Sequence, residues 1–165
     1  MIQVASAEEM AELGRRIADA LGPGDLVVLT GPLGAGKTTL TQGIGAGLGV
    51  TGRIVSPTFV IARVHRGGRM PLVHADAYRI SSIAEIDDLD LDASLAESVT
   101  VVEWGGGLVE GLADDRLEVR IERAAGNAAG DERQVSIVGI GPRWSSVDLS
   151  VNGDVPPACT DRQTS

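Results

Sequence analysis

Apolar and polar positions alternate between two periods along this chain. Met10, Leu13, Ile17 and Leu21 recur every three or four residues, which predicts an amphipathic helix with one buried face. Ser6 and Glu9 form a capping box at its start, and Gly22-Pro23-Gly24 stops it. Ile2–Ala5 reads as a short strand ahead of that helix. Leu26-Val27-Val28-Leu29-Thr30 is an unbroken apolar, β-branched run, the pattern of a buried parallel strand. Leu40, Ile44 and Leu48 return to helical spacing. Gly43, Gly45, Gly47 and Gly49 weaken this second helix and predict its end near Gly49.

The period then shortens again. Ser56–Val64 opens as a turn and continues as a strand, and Pro71–Asp76 is extended once more. The intervening Arg66-Gly67-Gly68-Arg69 predicts a β-hairpin. From 81 to 98 the pattern is helical and acidic, with a Ser82–Glu85 capping box and Ile83, Ile86 and Leu89 on one side. Thr100–Trp104 is a compact buried strand, ended by Gly105-Gly106-Gly107, and Leu108–Leu112 spans one or two helical turns. Arg116–Glu122 and Gln134–Ile140 alternate as two further strands joined by a loose loop. The stretch with Pro156-Pro157 has no period. The pattern therefore predicts one domain over 1–142 and a disordered tail over 143–165.

Between the first buried strand and the second helix lies Gly31-Pro32-Leu33-Gly34-Ala35-Gly36-Lys37-Thr38-Thr39. It matches G-x-x-x-x-G-K-[ST] at every fixed position, the phosphate-binding P-loop. Gly31, Gly34 and Gly36 let the backbone turn tightly and aim its N–H groups inward. The helix that follows turns its positive end toward the same phosphates. Lys37 reaches the β- and γ-phosphates in such a loop, and the Thr38 hydroxyl binds Mg2+. Leu33, Ala35 and Thr39 complete the candidate nucleotide-binding set. Lys37 is also the only lysine in the chain, against thirteen arginines. A bias toward arginine accounts for the missing lysines but not for an exception at the one position that needs a compact ammonium.

Hydrolysis of a bound nucleotide requires a carboxylate near Mg2+ and a group that positions water. Asp76 and Glu103 each end an apolar strand and are the two candidates; the spacing does not divide the roles between them. Thr58, after Ser56-Pro57, is either a plain turn residue or a sensor of the γ-phosphate in a switch-like loop. Arg79 is either a surface charge or a group that stabilises transition-state charge. His65 and His74 fall in the hairpin, and His65 reads as an ordinary hairpin residue. No Cys/His cluster has metal-ligand spacing, so no structural zinc is expected.

Composition narrows the setting. The 165 residues suffice for one self-contained core, which must be aliphatic because Phe59, Tyr78, Trp104 and Trp144 are all its aromatics. A net charge of −9 argues against unaided, phosphate-driven binding of nucleic acid, DNA included. Charge is also polarised. Arg53, Arg63, Arg66, Arg69 and Arg79 face a single acid, Asp76, and a run of acids from Glu85 to Glu97 follows with no base among them. Such faces are usually solvated, but they also suit docking of a partner that brings RNA within reach. The lone Cys159 fits a reducing compartment, and neither a membrane span nor a signal peptide is visible. A cytoplasmic protein without membrane contact is expected.

Taken in order, GPLGAGKTT at Gly31–Thr39, SPTF at Ser56–Phe59, HADAYR at His74–Arg79 and VEW at Val102–Trp104 resemble the bacterial TsaE (YjeE) family over about residues 5–140. The resemblance implies an α/β P-loop NTPase fold, three-layered, with a central mixed β-sheet flanked by helices. It implies a weak ATPase using ATP and Mg2+ in tRNA threonylcarbamoyladenosine biosynthesis. The implied partner is the TsaD–TsaB heterodimer, with tRNA met only through that complex. By matching position, Lys37 and Thr38 bind phosphate and Mg2+, Thr58 belongs to a switch-like loop, and Asp76 and Glu103 serve the metal and hydrolysis. Trp104 is a motif residue beside them. Pro32 departs from an Asp frequent in the family, at a variable loop position. Two other readings compete. A P-loop small-molecule kinase needs a lid and an acceptor pocket, and the chain after Glu103 offers neither clearly. A nucleotide-dependent binding module differs only in making hydrolysis incidental. A GTPase is excluded by the absence of an N-K-x-D lysine.

Overall fold

The apolar run at 26–30 becomes the middle of the sheet. The computed structural model describes residues 1–57, 62–77, 96–104, 114–123 and 132–147. Its strands are β1 (Ile2–Val4), β2 (Leu26–Thr30), β3 (Ala62–His65), β4 (Leu72–Asp76), β5 (Val99–Glu103), β6 (Arg116–Arg123) and β7 (Arg133–Ile140). Helices α1 (Ala7–Ala20) and α2 (Lys37–Leu48) join them. The sheet order is β1-β7-β6-β2-β5-β4-β3. The central strands β6, β2, β5 and β4 run parallel, whereas β3 on one flank and β7 and β1 on the other pair antiparallel. This is the expected α/β fold with a mixed sheet, and the hairpin around the Gly-Gly turn is its β3–β4 edge.

Burial explains why β2, β4 and β5 read as continuous apolar runs. Val27, Leu29, Leu72, Val99 and Val101 face one side and join the core with Met10, Leu13 and Ile17 of α1 and Leu40, Ile44 and Leu48 of α2. Leu26, Val28, Val73, Ala75 and Val102 face the other side and are buried too. The helix expected over 81–98, the turns expected over 108–112, Thr58 and Arg79 lie outside the described residues.

The glycines of α2 have a packing reason. A Cβ on Gly43 would lie 2.1 Å from the Ala11 carbonyl oxygen, and one on Gly14 of α1 would lie 2.4 Å from that of Leu40. The two helices touch backbone to backbone, which only glycine permits on both sides. The Ser6 hydroxyl caps α1 by accepting from Glu9 N at 3.2 Å. The Glu9 carboxylate reaches one residue further back than an ideal box, to Ala5 N at 2.7 Å.

The domain extends past the boundary drawn at 142. Pro142–Trp144 forms a 3-10 turn, and Trp144, placed in the tail by its lack of periodicity, is 3% exposed and part of the core. A single anchor after a strand carries no period, so pattern reading cannot see it. Among the described residues, no helix is long and apolar enough to cross a membrane.

Candidate functional site

Parallel strands deliver their C-terminal ends to one edge of the sheet, and there the predicted residues converge. The loop leaving β2 begins at Gly31, whose φ of 147° and close approach to β6 exclude a side chain: a Cβ would sit 2.3 Å from the Ile121 carbonyl oxygen. It ends at Gly36, in the left-handed region with φ of 109°, from which α2 starts at Lys37. Helix geometry leaves the first N–H groups of α2 without intrahelical acceptors, a ready site for an anion.

Lys37 is only 5% exposed. Its Nζ donates to the carbonyl oxygens of Gly31 at 2.9 Å and Pro32 at 3.0 Å, and lies 3.7 Å from the centroid of the Trp104 ring. Pro32 contributes through its backbone carbonyl, so this contact does not depend on the side chain at that position. Burial pushes the lysine pKa down from its ordinary 10.5, against the opposing pull of the Glu103 and Asp76 carboxylates.

Register places the two carboxylates side by side: Asp76 of β4 pairs with Glu103 of β5, and Glu103 pairs in turn with Leu29 of β2. Both are buried. Glu103 Oε1 accepts from the Thr38 hydroxyl at 3.0 Å and is 2.9 Å from His74 Nε2. The hydroxyl in the first turn of α2 and the carboxylate at the end of β5 are therefore already joined. Trp104, the next residue, has a φ of 62°, the one positive φ of a non-glycine residue among the described residues. Its backbone N–H donates to the Leu29 carbonyl at 2.9 Å, which holds this uncommon conformation and turns the chain beside Lys37.

A cavity of about 390 Å³ is lined by Leu33 to Thr39, Ser56, Asp76, Glu103 and Trp104. A second, of about 210 Å³, shares Gly34, Ala35, Gly36 and Thr39 with it and adds Ser6, Ala7, Met10 and Arg133. The P-loop is thus flanked by two hollows, one carrying the lysine and carboxylates and one at the start of α1. The hydroxyl of Thr38 and the two carboxylates are hard oxygen donors beside a phosphate loop, a set that suits Mg2+, which takes few protein ligands and completes its shell with phosphate and water. Sequence reasoning found every member of this set. It missed the link from His74 to Glu103, for which the signal was a polar ring on the inward face of an otherwise apolar strand, two residues before Asp76. It also left unassigned the stacking of Trp104 on Lys37. Thr58 is not among the described residues.

A mixed α/β sheet with a glycine-rich loop between β2 and α2, and carboxylates at the ends of adjoining strands, defines a protein of the P-loop NTPase fold. Within that class the chain belongs to the TsaE family: the family model described as threonylcarbamoyl adenosine biosynthesis protein TsaE matches residues 4–135. It is 60% identical over 145 residues to the tRNA threonylcarbamoyladenosine biosynthesis protein TsaE of Streptomyces coelicolor, covering 86% of this chain and 98% of that one. The protein of the same name from Bacillus subtilis is 39% identical over 138 residues, covering 83% and 84%. Among solved structures, the crystal structure of YdiB from Bacillus subtilis superposes with a TM-score of 0.71 at 34% identity, over 87% of this chain and 86% of that one.

Proposed function

We propose that this chain is an Mg2+-dependent ATPase whose hydrolysis serves tRNA threonylcarbamoyladenosine formation, in company with the TsaD–TsaB heterodimer. The observation that carries the reading is the convergence of Lys37, Thr38, Asp76 and Glu103 on one cavity at the P-loop. ATP lies across the loop, its phosphates beside Lys37 and its nucleoside in the hollow between Ser6 and Arg133. The loop N–H groups and the Lys37 ammonium bind the β- and γ-phosphates. The Thr38–Glu103 hydrogen bond favours these two as the residues that hold Mg2+, which when bound neutralises charge on the phosphates. Asp76, the register neighbour of Glu103, then orients the attacking water and accepts its proton. Thr58 acts from a switch-like loop. The net charge of −9 fits a subunit that meets tRNA only through its partners, and the cytoplasm is where that work is done.

The test is ATP turnover by the purified chain, alone and with its own TsaD–TsaB pair, with Lys37→Ala as control. Turnover that rises with the pair and vanishes in the variant supports the reading. Turnover indifferent to the pair, with a small metabolite phosphorylated instead, replaces it with the kinase reading.

A further inference from the structure

His74 is a costly residue where it stands. It sits in the middle of β4 with no exposed surface, on the same face as Leu72 and Asp76. An apolar side chain fills such a position without desolvating two ring nitrogens. Nδ1 has no hydrogen-bond partner among the described residues, and the His65 ring is stacked no closer than 6.5 Å between centroids. The ring therefore spends its burial on one bond, the 2.9 Å contact of Nε2 with Glu103 Oε1. Because an ionised carboxylate only accepts, Nε2 carries the hydrogen. The same oxygen accepts from Thr38 at 3.0 Å, so a donor from β4 and one from the first turn of α2 meet on a single atom at the end of β5.

We infer that His74 is a positioning residue for Glu103, whose Nε2–H locks the carboxylate in register with the Thr38 hydroxyl so that the pair is preset to receive a divalent cation. The inference rests on the reading of Thr38 and Glu103 as the residues that hold Mg2+. Residues that orient a ligating carboxylate typically change metal affinity by about 10- to 100-fold when removed. They do so without touching the nucleotide.

The experiment measures the affinity of the full chain for a fluorescent ADP analogue, with Mg2+ titrated in and with the metal chelated, in the wild type, His74→Leu and His74→Gln. Gln places an amide N–H close to the position of Nε2; Leu fills the space without a donor. In the wild type, Mg2+ should tighten binding. His74→Leu should raise the half-saturating Mg2+ concentration about tenfold while leaving metal-free affinity within about twofold, and His74→Gln should restore most of the loss. Should Leu unfold the strand, His74→Asn replaces it, since its amide stops near the position of Nδ1 and cannot reach Glu103. Wild-type Mg2+ dependence in His74→Leu, or failure of Gln to rescue, overturns the inference and leaves the assignment of Glu103 standing. Nucleotide binding indifferent to Mg2+ in the wild type overturns both.

Discussion

Lys37 shows how one side chain can be held ready at a cost. Its ammonium is buried, given two backbone carbonyls and an aromatic face, and set opposite two carboxylates. Burial is the larger influence and lowers its pKa below 10.5. The folded chain therefore releases this proton at lower pH than the unfolded chain does. Below the lowered pKa the buried charge opposes folding, and stability rises with pH across the interval from that pKa up to 10.5, where the unfolded chain binds more protons. Phosphate affinity moves the other way, falling across the same interval as the cation is lost. Two measurements check this between about pH 8 and 11. The unfolding free energy of the wild type relative to Lys37→Met should climb, and the wild-type affinity for ATP should drop. An affinity that stays level through the interval would show that the ammonium does not carry phosphate binding. The loop residues were legible because phosphate chemistry fixes letters at fixed spacing, and the two carboxylates because each ends an apolar strand. His74 and Trp104 were not, because their roles are contacts between elements far apart in sequence.

At the scale of elements, α2 ends where its glycines predict, at Leu48 with Gly49 as its cap, but those glycines also have a use that pattern reading does not show. Its glycines read as weak points, since each costs about 1 kcal/mol of helix propensity relative to alanine. In the fold, Gly43 of α2 meets the Ala11 carbonyl and Gly14 of α1 meets that of Leu40, so glycines on both helices let them approach backbone to backbone. Propensity is local, whereas this gain exists only once a second helix is present. Gly43→Ala should thus destabilise the protein by about 2 kcal/mol in urea denaturation, because overpacking against a rigid carbonyl outweighs the propensity gain. Gly45→Ala is the contrast. Its added methyl meets only side-chain ends, Ile54 Cδ1 with Val50 Cγ2 and Leu72 Cδ2 behind it, which yield more readily than a backbone carbonyl, so the loss should be smaller, about 1 kcal/mol. The first variant should also weaken ATP binding, since α2 begins at Lys37 and any shift of its axis moves the lysine and Thr38 together. Loss of stability with unchanged nucleotide affinity would mean that the loop is positioned by β2 and β6 without help from the helix pair.

Over the whole molecule, the candidate site and the closure of the chain occupy opposite ends of the sheet. Thr30, Asp76 and Glu103 end their strands at the P-loop side, while Asp25 and Asp115 precede β2 and β6 at the other. The chain after β7 locks that far end. Arg143 donates through Nη2 to the Ala20 carbonyl at 2.8 Å and to Asp25 Oδ2 at 3.1 Å, and its backbone N–H donates to Asp115 Oδ1 at 2.9 Å. Its guanidinium lies over the Trp144 ring, 4.6 Å from the centroid, and the indole fills the core beneath. Strands and helices were legible because each repeats a rule several times; this lock uses one arginine and one tryptophan and repeats nothing. Trp144→Ala should cost about 3 kcal/mol, the usual loss for emptying a buried aromatic site. Trp144→Phe should cost much less, because the indole Nε1 has no hydrogen-bond partner among the described residues and its removal abolishes an unpaired buried donor. Both variants should bind Mg2+ and ATP as the wild type does at temperatures where they remain folded, since β2 alone separates the two ends by roughly 15 Å. Denaturant unfolding together with nucleotide titration decides it. A Phe variant as unstable as the Ala variant would show that the turn needs the indole itself and that aromatic area in general does not anchor it. A Trp144→Ala variant that stays folded but loses ATP would show that closure of the far end governs the site.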